Sequence, residues 1–275
     1  YISPYYLSKY INFKQKYFKT AGQGSSQQNL AKDDILNFKV AYPHSEDEQI
    51  SITDVLADTD ALIESLEKLI AKKRDIKQGA MQQLLTGKRR LLGFSGKWEV
   101  KKLGEVVGRI TTGKLDANAM TENGEYRFYT CAKDYYQIDR YAFDTEALLV
   151  SGNGANVGYV HYYKGKFNAY QRTYVLSSFS ENILFIKLFM DRNLQERIRV
   201  EVNAGNTPYI TMDTLSEMSI MFPPTEEEQT AIAQIFTDMD KEIESLEQKL
   251  DKYTMLKQGM MQQLLTGKIR IYANN

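Results

Sequence analysis

Residues 77–91 read KQGAMQQLLTGKRRL, and the chain returns at 257–271 as KQGMMQQLLTGKIRI, with twelve of fifteen positions identical. A self-match at a fixed offset constrains the fold more than any single motif, because each copy must form the same supersecondary unit. The offset of 180 holds upstream without a gap. Pro43 falls on Pro223, Ser45–Gln49 on Thr225–Gln229, Asp58 and Asp60 on Asp238 and Asp240, and Glu64 and Leu66 on Glu244 and Leu246. The chain is a two-fold repeat of one long unit.

Each copy carries the marks of a long helix, predicted over 44–86 and over 225–266. Each follows proline and opens on a capping box, Ser45 with Glu48 and Thr225 with Glu228, in which hydroxyl and carboxylate would satisfy orphan N–H groups reciprocally. Each ends at Thr-Gly-Lys, where Gly87 and Gly267 suit the left-handed C′ position and Lys88 and Lys268 complement the helix dipole. In the second copy Met239, Ile243, Leu246, Leu250, Tyr253, Met260 and Leu264 follow mostly alternating three–four spacing, the seam of a coiled coil. The first copy has Ile63, Leu66 and Ile70 in register, with Thr59 and Lys73 as interruptions. Forty-odd residues make a rod of about 60 Å. Two rods with one apolar stripe each should pair, and the globular connection between them permits an antiparallel arrangement.

Four segments follow: 1–43, the helical repeat 44–91, a globular unit 92–223, and the second helical repeat 224–275. Strand-like runs at Tyr126–Thr130, Ala147–Ser151, Gly158–Tyr163 and Thr173–Ser177 are separated by glycine-bearing turns, and a helix is predicted from Glu181 to Asn203. The chain then turns through 204–208 and extends over Tyr209–Ile220. The expected class is α+β. In 1–43, Tyr6, Tyr10, Phe13 and Tyr17 lie at helical spacing ahead of a turn-rich 22–26. Position 1 maps onto Glu181, so equal units would place about 85 further residues before Tyr1. The alternative is a first globular unit that is naturally small.

Composition narrows the function. No apolar run is long enough to span a membrane. The single Cys131 excludes an internal disulfide and fits a reducing cytoplasm. His44 and His161 lie far apart, with no cysteines in ligand spacing. Net charge is zero, distributed as +4 over 1–43, −1 over 44–91, zero over 92–223 and −3 over 224–275. Contact with DNA would rest on local patches or on a partner that supplies the attraction.

The glycine-rich stretch Ser151–Gly158 has strand-like sequence on both sides and matches neither common phosphate-binding pattern, so it reads as a β-turn or bulge. No Asn/Asp-Pro-Pro-aromatic segment, paired carboxylates, nucleophile elbow or zinc-protease motif is present, and the chain reads as non-catalytic. Recognition is better supported. Asn153, Asn156, Gln171, Arg172, Asn206 and Tyr209 can reach base edges or phosphates and cluster near turns, and Lys114, Arg127 and Lys133 could add phosphate contacts. For each of them the ordinary alternative is a solvated loop residue.

These features resemble the specificity subunit of type I restriction-modification systems over nearly the whole chain. The resemblance is carried by Pro224–Gln229 with Ile232-Ala233, by the Lys-Gln-Gly-x-Met-Gln-Gln-Leu-Leu-Thr-Gly-Lys ending, and by Ile110–Lys114, Gly154–Gly158 and the Gly205–Ile210 turn. It implies an α+β chain whose globular target recognition domains are joined by two long helices in an antiparallel coiled coil. Residues 92–223 would be the second such domain and 1–43 the C-terminal part of the first. It further implies double-stranded DNA as ligand, read as a bipartite site, with modification (methyltransferase) subunits and a restriction subunit as partners and self-association as a further option. On this reading the chain holds no cofactor of its own. S-adenosylmethionine, ATP and Mg would belong to the partner subunits. The competing classes are a coiled-coil adaptor whose globular domain binds protein, and a stand-alone methyltransferase, which the missing motifs disfavour.

Overall fold

The computed structural model describes residues 1–21, 32–201 and 209–271. In chain order the elements are α1 Pro4–Phe13, α2 Gln15–Ala21, α3 Lys32–Leu36, α4 Glu46–Leu84, β1 Glu99–Lys102, α5 Leu103–Val106, β2 Val107–Thr112, β3 Tyr126–Tyr129, β4 Tyr136–Ile138, β5 Phe143–Ser151, β6 Val160–Ala169, β7 Thr173–Phe179, α6 Ile183–Glu201, α7 Met212–Ser216, β8 Ser219–Phe222 and α8 Glu226–Leu264. They gather into two compact units, Tyr1–Asp75 with Asp240–Asn275, and Ile76–Met239. Helices α4 and α8, of 39 residues each, contribute to both.

Both predicted rods form, and within each unit they run antiparallel. In the first unit Lys73 pairs with Glu242 at 2.6 Å, Arg74 with Glu247 at 2.5 Å, and Lys257 with Asp60. From Asp60 to Lys73 on α4 the partner moves back from Lys257 to Glu242 on α8. Leu66, Ile70 and Ile243 are buried along this seam. At Lys73, where the apolar stripe is interrupted, the two helices are joined by charge. The Lys73 side chain is 30% exposed and its ammonium reaches Glu242 on α8.

The helix ends correct one expectation. Ser45 Oγ accepts from Glu48 N–H at 3.4 Å and Thr225 Oγ1 from Glu228 N–H at 3.3 Å, so half of each capping box forms. The glutamates do not fold back. Glu48 takes two bonds from Arg270, at 2.6 and 2.5 Å, and Glu228 takes two from Arg90, at 2.5 and 2.6 Å. A two-pronged guanidinium contact outweighs a single backbone amide. The C-termini behave as read. Gly87 (φ 65°) and Gly267 (φ 72°) are left-handed, and Arg89 N–H reaches Gln83 O as Ile269 N–H reaches Gln263 O. Each bond reaches back six positions across the left-handed glycine and satisfies a carbonyl of the last helical turn.

In the second unit a six-stranded sheet runs in the order β2-β7-β5-β6-β3-β4, all neighbours antiparallel except β3 with β6. β5 is buried on both faces, which explains its unbroken Ala-Leu-Leu-Val run. Leu148 and Val150 face the large core under α6, with Leu84 and Leu85 of α4 and Ile232 and Phe236 of α8. Ala147 and Leu149 face a second core with Tyr129, Phe167, Ala169 and Val175. Those residues come from four strands of one sheet, which therefore carries an apolar cluster on each face. Burying a side chain such as Leu85 or Phe236, both 0% exposed, contributes about 1.5–3 kcal/mol.

Four elements differ from expectation. β1 and β8 pair as a separate two-stranded sheet. β4 joins the sheet edge at β3. The stretch read as extended over Tyr209–Ile220 contains α7, because Thr211 Oγ1 accepts from Thr214 N–H at 3.2 Å and starts a helical turn. In the first unit, Tyr6 and Tyr10 of α1 pack with Ile52, Leu56, Leu264 and Leu265. The aromatic spacing of 1–19 was therefore a helix signal, although Lys14 divides it into α1 and α2. The turn expected at 22–26 lies outside the described residues, as do 204–208 and the predicted end of α6 at Asn203.

Candidate nucleic-acid interface

The site is built where strands end. β2 runs out at Thr112, and Gly113 N–H donates to Thr173 O at 3.2 Å at the start of β7. Leu115 bridges to Tyr170, and its carbonyl accepts from Gln171 N–H at 2.9 Å. β5 ends at Ser151, after which Gly152 N–H donates to Arg172 O at 2.8 Å. The loop then turns tightly, with Gly154 and Gly158 at φ 80° and 77° and Val157 N–H on Gly154 O. This is the β-turn expected of the glycine-rich stretch, since only glycine adopts those angles without strain. The segment from Tyr209 returns to the same place. Asn153 bridges to Tyr209, Ile210 N–H donates to Gly152 O at 2.9 Å, and Tyr174 OH donates to Ile210 O at 3.0 Å.

Three loops thereby converge on a cleft of about 330 Å³ lined by Thr112, Gly152, Gln171, Arg172, Tyr174 and Tyr209. Gln171 and Arg172 are exposed, as is Lys114 beside them in sequence to Gly113. Tyr209 is 57% exposed. Of the predicted residues, Lys114, Asn153, Asn156, Gln171, Arg172 and Tyr209 are thus held in one loop cluster. Two of their side chains are already occupied. Gln171 Nε2 donates to Asp116 Oδ1 at 2.8 Å, and Asn156 Nδ2 donates to Cys131 O at 3.0 Å. Asn156 therefore places a loop as much as it offers an amide. Cys131 ties the same loops from the other side, its thiol donating to Arg172 O at 3.4 Å.

Arg127 is held differently. It lies on β3, its guanidinium 4.2 Å from the ring centre of Tyr135 and 4.6 Å from that of Tyr163, and it donates to Tyr129 OH at 3.4 Å. That bond and the surrounding rings favour the charged form and raise its pKa. A phosphate would meet a guanidinium already stacked between two aromatic rings. Lys133 is exposed in the turn between β3 and β4, and the neighbouring Ala132 carbonyl accepts from His161 Nε2 at 3.0 Å. Asn206 lies outside the described residues. Sequence reading passed over Cys131, Asp116 and the Tyr135/Tyr163 pair. The tyrosine pair Tyr135-Tyr136, close behind Lys133, was the available signal for the last of these.

Burial pushes the His161 imidazole below its usual range, opposed by the Ala132 carbonyl. A depressed histidine pKa means that the unfolded chain binds the extra proton more readily. Stability is then complete above the unfolded value of about 6.5 and declines as pH falls below it. We expect the thermal midpoint to drop between about pH 7 and pH 5.5, and His161→Gln, which keeps an N–H donor, to flatten that drop. Parallel profiles in the two proteins would remove the assignment.

Among the described residues no group of three or more histidine, cysteine, aspartate or glutamate side chains could hold a metal ion, and no helix is long and apolar enough to cross a membrane. The arrangement presents amides, cations and a tyrosine on a rim pinned by backbone bonds, which suits binding to a polyanion's backbone and base edges.

Two 39-residue repeat helices and a six-stranded sheet with a polar loop rim define a repeat protein of the α+β class. The profile of the family described as "Type I restriction modification DNA specificity domain" matches residues 2–73 and 95–254, and the chain belongs to that family. It is 36% identical over 169 residues to the type I restriction enzyme EcoDI specificity subunit of Escherichia coli, a match covering 62% of this chain and 37% of that protein. It is 26% identical to the MjaVIII specificity subunit of Methanocaldococcus jannaschii over 97% of this chain and 70% of that protein. The chain thus spans between about a third and seven-tenths of these relatives. The crystal structure of the type I restriction-modification S subunit from M. genitalium shares the fold, with a TM-score of 0.73 over 95% of this chain and 72% of that one, at 16% identity.

Proposed function

We propose that this chain reads DNA sequence for a type I restriction-modification complex and is itself non-catalytic. The observation that carries the reading is the meeting of Gln171, Arg172 and Tyr209 at one cleft, with Lys114 and Asn153 in the loops that form it, in a chain of the specificity family. Residues 92–223 act as the base-reading domain, and 44–91 with 224–275 as the spacer. Modification subunits bring S-adenosylmethionine and methylate adenine, and a restriction subunit, with ATP and Mg, adds cleavage. Residues of the rim position the module through phosphate contacts and select bases through amide and guanidinium groups. With net charge near zero, partner subunits supply much of the sequence-independent attraction.

The test is a binding-site selection with the modification subunit present. A recovered consensus supports the reading, and recovery of random sequence removes it in favour of a protein-binding adaptor. Within the selected site, Arg172→Ala is expected to weaken binding about tenfold or more, the range of one lost guanidinium contact to a base. Its thermal midpoint should stay unchanged, because the Arg172 side chain is exposed and the bonds of that residue to Gly152 and Cys131 use its backbone carbonyl. Undiminished affinity would withdraw Arg172 from the contact set.

A further inference from the structure

Asp116 does not cap the turn it precedes. It stands before the short 3-10 turn Ala117–Ala119, where an aspartate carboxylate commonly takes an N–H of the first turn, yet it makes no such side-chain bond. Its Oδ1 instead accepts from Gln171 Nε2 at 2.8 Å, across 55 residues of chain. The backbone arranges this meeting. Leu115 bridges to Tyr170 in parallel and its carbonyl takes the Gln171 N–H at 2.9 Å, so the next residue of each segment, Asp116 and Gln171, stand side by side. Both are exposed, and Gln171 lines the cleft of the rim.

A carboxylate on that rim opposes a polyanion, in a chain whose net charge is zero. Its contact with Gln171 gives it a different use. A glutamine amide can turn over and exchange its oxygen for its nitrogen. A carboxylate only accepts, so it selects the orientation with Nε2 toward Asp116. One N–H is then taken, and one N–H and Oε1 remain for a ligand. A donor beside an acceptor is the pattern that pairs with N7 and the N6 amino group of adenine in the major groove. Guanine presents two acceptors there, so Oε1 would face O6 unpaired. Cytosine and thymine each offer the amide a single polar group.

We propose that Gln171 reads an adenine of the DNA site and that Asp116 is the positioning residue that fixes its amide for that base. The proposal rests on the reading of this chain as a DNA-recognition subunit, and adds to it one base and the pair of side chains that select it. The loops themselves are already joined by Gln171 N–H on Leu115 O and Gly113 N–H on Thr173 O, so the side-chain bond is free to serve recognition.

Binding-site selection with the modification subunit present, run on the parent chain and on Asp116→Asn, Asp116→Ala and Gln171→Ala, tests it. In the parent we expect one adenine position at which a change to guanine weakens binding about tenfold or more. Gln171→Ala should level the preference at that position and leave the rest of the consensus. Asp116→Asn should do the same, because an asparagine amide both donates and accepts and so lets Gln171 turn over. Asp116→Ala should level it too, and should tighten binding to random-sequence DNA, since a negative charge leaves the rim. Thermal midpoints should match the parent's. A parent consensus that Gln171→Ala leaves unchanged, or alters at a position that is not adenine, overturns the proposal and spares the DNA-recognition reading. So does an adenine preference retained in either Asp116 variant. A loss spread evenly over the whole consensus, with a lowered midpoint, would mark the bond as a structural staple and also overturn it. Random sequence recovered by the parent chain itself would end both.

Discussion

Replacing Arg90 with alanine is expected to destabilise the Ile76–Met239 unit by about 3–5 kcal/mol, the cost of leaving a buried charge without its partner. Glu228 has a side chain 0% exposed, and both its carboxylate oxygens are taken by Arg90. The same guanidinium donates to Gly96 O at 2.7 Å and Ser95 O at 3.0 Å, so its loss also frees the segment that brings Trp98 onto Gly87. Urea denaturation of Arg90→Ala measures the effect. The double variant Arg90→Met with Glu228→Leu should regain more than half of it, because no charge is then stranded. Arg270→Ala in the other unit should cost less, since Arg270 is 52% exposed and water can reach the place it leaves. The bond from Arg270 is the foremost cause holding the Glu48 carboxyl below its usual range. That contribution is present above the unfolded carboxylate value of about 4.3 and is lost as pH falls through the folded one. Arg270→Ala should therefore also lessen the acid sensitivity of its unit. An Arg90→Ala loss no larger than that of a surface substitution would mean that Glu228 finds water or another donor.

The parts of this fold that were legible in the sequence depend on near neighbours. Helix length, the proline and hydroxyl starts and the glycine stops all act within one or two turns, and α4 and α8 end within about two residues of where these signals put them. What the local pattern left out was set by distant partners. Glu48 looks like half of a capping box until Arg270, 222 positions away, is seen to hold it. β1 and β8 are four residues each and pair across more than a hundred residues of chain, so neither carries a periodicity long enough to read. The site shows the same division. Turn chemistry marked Asn153, Gln171 and Arg172 as presentable side chains, and the fold does bring their loops together. Arg127 was marked by residue type alone, and its aromatic neighbours Tyr135 and Tyr163 arrive from two other segments. Neither the occupation of Gln171 by Asp116 nor that of Asn156 by Cys131 had a local signature.

Gly113→Ala is expected to be the most damaging single methyl that can be added near the rim. Gly113 is buried, and a Cβ there would collide with the carbonyl of Ala169 and approach Tyr170 O to 2.6 Å. Both obstacles are backbone, so no rotamer change relieves them. The 169–173 segment is fixed on several sides, by Tyr170 N–H on Tyr129 O, Gln171 N–H on Leu115 O and Thr173 N–H on Tyr170 O. Overpacking against such a frame costs about 3 kcal/mol, the upper end of the usual range. The displacement would pass to Gln171 and Arg172, so specific DNA affinity should fall by about a hundredfold, more than Arg172→Ala alone produces. Gly154→Ala is the control on the neighbouring loop. Its Cβ would meet nothing within 4 Å, so only the left-handed backbone at φ 80° opposes it, at about 1–2 kcal/mol. Its specific binding should stay within a few-fold of the parent chain. Equal behaviour of the two variants in unfolding and in DNA titration would show that the 170–173 turn yields easily, and that the rim is not the rigid reading edge its hydrogen bonds imply.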